Sequence, residues 1–294
     1  MTGLLVLFAV AALLITVAGT AAMWRAIRRP VTKGYAWCLA NGWPAEPGDL
    51  GVAGEEVTMQ LTQGSSTVGY VLDGRDPDGP LVVLAHGHSA SRHYSLGMAG
   101  PVVEAASRVV LFDMPGHGDA DRAACTLGVR EPADIHRIVE QFDDGTRPVV
   151  LFGSSMGGFS ALGTVARFAR GRVAGLVLLG VFRYGHEPIA GTMRSKGYPV
   201  WPFLPLVTAW HHLTTRGEVH DRVEDAQKVD CPTLLLHFEV DPLCPLASAE
   251  AIAEAIPEST LHVFPGEGHT EAWRSEPEAY AAQITAFLGR FRKA

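Results

Sequence analysis

The stretch Val149-Val150-Leu151-Phe152-Gly153-Ser154-Ser155-Met156-Gly157-Gly158 decides the reading of this chain. Four consecutive apolar residues suit a strand covered on both faces, as in a parallel sheet. A G-x-S-x-G pattern follows at once, and residues 156–170 then read as a helix. Alone the pattern is common; between a buried strand and a helix it is specific. Gly153 and Gly157 permit a turn tight enough for strand and helix to approach closely. Such a turn lifts the Ser155 hydroxyl above the sheet edge, over a helix N-terminus that favours developing negative charge. Ser154 is read as a structural neighbour.

The same rhythm extends outward. Short apolar runs at Leu81–Ala85, Val109–Phe112, Val173–Leu179, Thr233–His237 and Leu261–Phe264 read as strands. Helical stretches fall at 95–107, 132–142, 246–256 and 276–291. Strands alternating with helices predict an α/β architecture with right-handed crossovers. Glu55–Leu61 and Val68–Leu72 read as an opening hairpin. One interval breaks the rhythm. Residues 181–230 include YPVWPFLPLVTAWHHL at 198–213, apolar, aromatic and proline-rich. An insertion of that length in a compact domain is usually functional, and we read it as a lid. A helical decoration over a sheet edge is the alternative.

A serine hydroxyl is a weak nucleophile at neutral pH and needs a base. After this kind of turn the expected chain order is serine, acid, histidine. His269 lies in Gly266-Glu267-Gly268-His269, the loop after the last strand, and is the candidate base. The preceding strand ends in Phe238-Glu239-Val240-Asp241-Pro242. Asp241 is the candidate acid, because Asp-Pro opens a turn where the strand stops. Glu239, two residues earlier and still in the strand, stays open as an alternative. An oxyanion needs two backbone donors. The N–H of Met156 is one candidate. The other is the N–H of His88, in the His86-Gly87-His88-Ser89 loop that Gly87 lets turn toward the site.

Taken in order, His86-Gly87-His88, Asp113-Met114-Pro115-Gly116-His117-Gly118, Gly153-Ser154-Ser155-Met156-Gly157-Gly158, Asp241-Pro242 and Gly268-His269 resemble the α/β-hydrolase superfamily over residues 55–294. The resemblance implies an eight-stranded, mostly parallel sheet flanked by helices, with a lid after the sixth strand. It implies Ser155 as nucleophile, His269 as base and Asp241 as acid, and no cofactor. The 113–118 segment corresponds to a turn that is usually structural. The family often has glycine where Phe238 stands.

Gly3 to Met23 is 21 residues without a charge. As a helix it spans about 30 Å, the thickness of a bilayer's hydrocarbon. Trp24 follows, then Arg25, Arg28, Arg29 and Lys33. Basic residues after the apolar run and none before it predict an uncleaved single-pass anchor with the main domain in the cytoplasm. The alternatives are a signal peptide cleaved near Ala18–Ala22, which exports the domain, and a buried core helix. Residues 1–29 are then anchor and basic flank, 30–54 a linker rich in proline and glycine, and 55–294 the hydrolase domain. Trp37 and Trp43 are expected to pack on that domain.

Composition sets the outer limits. The chain has 294 residues and a formal net charge of −7, so no basic field exists to attract nucleic acid. Cys38, Cys125, Cys231 and Cys244 form no CxxC pair, which excludes a zinc ribbon. HGHSASRH at 86–93 lacks the clustering of ligands that a catalytic zinc needs, and no metal is expected. Cys244 reads as a small buried apolar residue. His211 and His212 face either substrate or solvent. The expected activity is hydrolysis of a small-molecule or lipid ester. Thioesterase, amidase or peptidase chemistry would use the same residues. A non-catalytic membrane-anchored binding protein would keep the fold alone.

Overall fold

A computed structural model describes residues 2–121, 124–215 and 220–293. Its centre is an eight-stranded sheet in the order β1-β2-β4-β3-β5-β6-β7-β8. The strands are β1 (Gly54–Gln60), β2 (Ser66–Asp73), β3 (Leu81–Ala85), β4 (Arg108–Phe112), β5 (Val149–Ser154), β6 (Val173–Leu179), β7 (Thr233–Val240) and β8 (Ser259–Glu267). β1 and β2 form the expected antiparallel hairpin, and β2 also runs antiparallel to β4. Every later pairing is parallel.

Strand composition explains the layering. In β3 all five residues are buried, and they alternate between two cores. Leu81, Val83 and Ala85 face one side, with α4 (Glu131–Phe142), α5 (Met156–Arg167) and α9 (Leu246–Ala255). Val82 and Leu84 face the other, with α3 (Arg92–Ala105), the short α10 (Ala272–Ser275) and α11 (Pro277–Leu288). A strand covered on both faces must be apolar at every position, which is why the sequence shows runs rather than alternation.

The N-terminal helix α1 (Thr2–Arg28) is the one helix among the described residues long and apolar enough to cross a membrane. Most of its side chains are exposed, and only its C-terminal part touches the rest of the chain. The interval read as a lid contains α6 (Glu187–Ser195), α7 (Phe203–Thr215) and α8 (Arg222–Ala226). Residues 216–219 of that interval lie outside the described residues. α7 runs alongside α1 in the same direction. Gly19 leaves room for the Phe203 ring, Trp24 stacks on Trp210 at 5.4 Å, and Trp24 Nε1–H donates to Thr214 Oγ1 at 3.2 Å.

The segment 30–54 differs from the linker that its prolines and glycines suggest. It holds α2 (Tyr35–Ala40) and a short 3-10 helix at Pro47–Leu50, with Cys38 and Ala45 fully buried. Trp37 and Trp43 pack on the domain, as expected. Their rings meet each other at 4.7 Å, and Trp43 meets Tyr94 and Trp273 at 5.0 and 4.9 Å. Single aromatic anchors fasten this strap, so no helical or strand period is visible in it.

Candidate active site

Ser155 joins β5 to α5 with φ 51° and ψ −116°. A non-glycine residue rarely occupies that region, and holding it there costs about 1–3 kcal/mol. The turn is held by Ser155 N–H donating to the Leu179 carbonyl at 2.7 Å and by Phe159 N–H donating to the Ser155 carbonyl at 2.9 Å. A Cβ on Gly157 would overlap the Ala85 carbonyl, and one on Gly153 would overlap the Gly157 carbonyl. Closeness of β3, β5 and α5 is therefore what these two glycines supply. The Ser155 side chain is reached by little solvent, with the residue 8% exposed.

Asp241 follows directly on β7. Its Oδ1 accepts from the N–H groups of Leu243 and Cys244 at 2.8 and 2.9 Å. That turn leaves Oδ2 for His269 Nδ1 at 2.6 Å. The Asp241 side chain is fully buried. An unpaired carboxylate there would be costly, and three charge-assisted hydrogen bonds of about 1.5–3 kcal/mol each offset its desolvation. Glu239 is exposed on β7, whereas Asp241 is the carboxylate that meets His269.

His269 Nε2 lies 2.8 Å from Ser155 Oγ. A carboxylate only accepts, so Nδ1 carries the ring proton and Nε2 presents a lone pair to the serine hydroxyl. Two residues that sequence reasoning missed shape this corner. Gly180, at φ 63°, stands where a Cβ would lie 3.1 Å from the His269 ring. His237, fully buried, donates from Nε2 to the Cys244 carbonyl at 3.1 Å and lies 3.7 Å from Asp241 Oδ2. Burial pushes its pKa down. The glycine ending β6 just before the insertion was the visible signal; His237 left none. Phe238, where glycine is common, packs its ring beneath Gly268.

The loop after β3 faces the serine. A Cβ on Gly87 would stand 3.2 Å from that of Ser155. His86 braces this loop from inside. Met114 N–H donates to His86 Nε2 at 2.9 Å, so Nδ1 carries the proton and donates to the Gly87 carbonyl at 2.7 Å. Asp113 accepts from the Arg92 and Asp119 N–H groups and pairs with the Arg92 guanidinium, in keeping with a structural turn. The backbone N–H groups of His88, which follows Gly87, and of Met156, which follows Ser155, are the two donors the sequence offers for an oxygen that becomes negative.

Two groups bring ligand atoms within 4.8 Å of one another: Asp241–Cys244–His269 and His88–His117–Cys125. The first is engaged in the hydrogen bonds just described. In the second, His88 Nε2 bonds the Ile27 carbonyl, His117 Nδ1 bonds the Pro115 carbonyl, and Cys125 Sγ lies 3.4 Å from Met156 Sδ. Cys244 is buried among Phe159 and Phe182, as expected.

A cavity of about 460 Å³ opens beside Phe159, one helical turn beyond Ser155. Leu127, Ile189, Leu204 and Ala209 line it, together with His211 and His212. His211 also bonds the Thr126 carbonyl through Nε2 at 3.1 Å. α7 thus has one side on α1 and another on this cavity.

Comparison with known proteins agrees with this architecture. An esterase of Pyrococcus furiosus superposes with a TM-score of 0.72 at 18% identity, covering 91% of this chain and 98% of that one. A bacterial membrane phospholipase A superposes with a TM-score of 0.63 at 21% identity, covering 100% of this chain and 98% of that one. The magnesium-chelatase 30 kDa subunit of Rhodobacter capsulatus is 31% identical over 142 residues, 47% of this chain. The chain spans about half the length of that relative, 49%. Residues 82–283, from β3 into α11, match the sequence profile of the alpha/beta hydrolase family. With the sheet order, the strained serine turn and the loops beside it all in place, the chain belongs to that family.

Proposed function

We infer that this protein is a membrane-anchored serine hydrolase that cleaves carboxylic esters through an acyl-Ser155 intermediate. The line from Ser155 Oγ to His269 Nε2 to Asp241, with links of 2.8 and 2.6 Å, carries this reading. Ser155 Oγ attacks the ester carbonyl while its proton passes to His269 Nε2. Asp241 holds the ring orientation and faces the imidazolium that forms. The N–H groups of Met156 and His88 receive the charge that develops on the carbonyl oxygen. The bond to the alcohol then breaks, with the His269 proton going to the departing oxygen. Water, deprotonated by His269, attacks the acyl-serine. The acid leaves and the proton returns to Ser155.

The apolar cavity beside Phe159 supports a substrate with an apolar acyl chain. The exposed apolar surface of α1, with Arg25 and Arg28 in its last turn, supports a bilayer anchor with the domain on the cytoplasmic side. Trp201 is 78% exposed and precedes Phe203, which meets Gly19 inside the apolar run. An interfacial tryptophan at that level fits a lipophilic ester taken from the membrane. Residues 18–22 lie within helical α1, and Gly19 is engaged by Phe203, which supports retention of the helix over cleavage.

The test is labelling of the full chain in detergent with a fluorescent fluorophosphonate, beside Ser155→Ala. The wild type should label and hydrolyse 4-nitrophenyl octanoate in preference to the acetate, and the variant should do neither. Undiminished turnover by folded Ser155→Ala removes Ser155 from the mechanism. A folded wild type that neither labels nor turns over favours a non-catalytic binding protein.

A further inference from the structure

The last carbonyls of a helix have no partner within it, and the summed peptide dipoles make that end negative. At the end of α1 two of these carbonyls are met by the hydrolase domain. His88 Nε2 lies 2.9 Å from the Ile27 carbonyl. Cys125 N–H donates to the Arg28 carbonyl at 3.0 Å. A carbonyl only accepts, so His88 Nε2 carries the proton, and Nδ1 accepts from the Ser89 hydroxyl at 3.2 Å.

The chain leaving α1 crosses the same loop again. Lys33 N–H donates to the Ser89 carbonyl at 2.9 Å, and the Ser91 hydroxyl donates to the Lys33 carbonyl at 2.7 Å. Ile27 itself is only 8% exposed. The loop therefore has an inner brace, His86, that belongs to the sheet, and an outer brace that belongs to the end of α1. Between them lies the backbone N–H assigned above to the oxyanion.

We propose that His88 is a positioning residue whose side chain fastens the oxyanion loop to the C-terminal end of the apolar helix, so that a working oxyanion hole requires α1 to be seated. This rests on the serine-hydrolase reading. An oxyanion donor acts only within a few tenths of an ångström of its place, and losing one costs about 10²–10³ in kcat. Misplacing a donor without removing it is expected to cost about 10–100-fold.

The experiment uses the full chain in detergent micelles, with wild type, Ser155→Ala, His88→Phe and His88→Gln, and 4-nitrophenyl butyrate as substrate. Phenylalanine keeps the ring and loses the donor. Glutamine places an amide N–H near where Nε2 stands. Expected is a fall in kcat of about 10–100-fold for His88→Phe with KM held within about twofold. His88→Gln should return to within about threefold of wild type. Wild-type kcat in His88→Phe, or an equal loss in the two variants, overturns the proposal. If His88→Phe does not fold, Ile27→Ala carries the test. It loosens the seat and leaves His88 in place, so lowered kcat at constant KM supports the tie and unchanged kcat overturns it. Fluorophosphonate labelling of wild type separates the two levels. A labelled wild type with an indifferent His88→Phe loses only this inference. An unlabelled, inactive wild type loses the serine-hydrolase reading and the inference with it.

Discussion

Asp241 divides its two carboxylate oxygens between its own turn and His269, and this division makes the site directional. An amide in its place presents an N–H where an acceptor is needed. In Asp241→Asn, His269 should turn to the opposite tautomer, with its proton on the nitrogen facing Ser155. Steady-state kinetics should then show kcat lower by about 10⁴ with KM little changed, as expected when tautomer control is lost. A fall of less than tenfold would show that Asp241 does not set the tautomer. The same residue shows what could be read from the chain. Asp241, His269 and Ser155 each sit where a strand meets a turn residue, and such places are visible in sequence. The turn opened by Asp-Pro already favoured Asp241 over Glu239, and the exposure of Glu239 on β7 agrees with that choice.

Among the elements, the serine turn has the least tolerance. Gly157→Ala pushes a methyl group into the backbone of β3, a central strand that cannot move aside. It should destabilise the protein by about 3 kcal/mol or more, read as a lowered urea midpoint. Gly289, at the end of α11 with helical φ −58° and ψ −19°, has open space around its Cβ position. Gly289→Ala should raise stability by about 0.5–1 kcal/mol in the same measurement. Equal behaviour of the two variants would contradict the close approach of β3 and α5. The central strands, β3 to β7, were legible because nearly continuous burial leaves continuous apolar runs. Edge strands were less so: β8 extends over Ser259–Glu267, well beyond the run at Leu261–Phe264, because its outer positions are exposed and polar. The strap at 30–54 showed only through Trp37 and Trp43, and the pairing of α7 with α1 left no signal, since each rests on a few aromatic contacts distant in sequence.

Across the whole molecule, buried imidazoles set a limit on acid stability. His86, His117 and His237 are almost without exposure, and burial lowers the pKa of each. The unfolded chain takes up protons at these groups near pH 6.5, while the folded chain resists until a lower pH. The unfolded state then binds more protons, so stability is complete above pH 6.5 and is lost as pH falls toward the folded-state values. Each histidine contributes a slope of up to about 1.4 kcal/mol per pH unit. Thermal melts should show a steep fall in Tm from pH 7 to pH 5 and a plateau above pH 7; a flat profile would mean these groups titrate alike in the two states. The docking of α1 has a further consequence in time. Trp24 and its partner Thr214 are 190 residues apart. At synthesis rates of about 5–20 residues per second, roughly 10–40 s pass between the emergence of one and the other. The apolar helix therefore emerges alone, while α7 does not yet exist. If α1 is the anchor proposed above, the nascent chain meets its lipid neighbours before its protein ones, and the hydrolase domain is assembled onto a helix already held at the membrane.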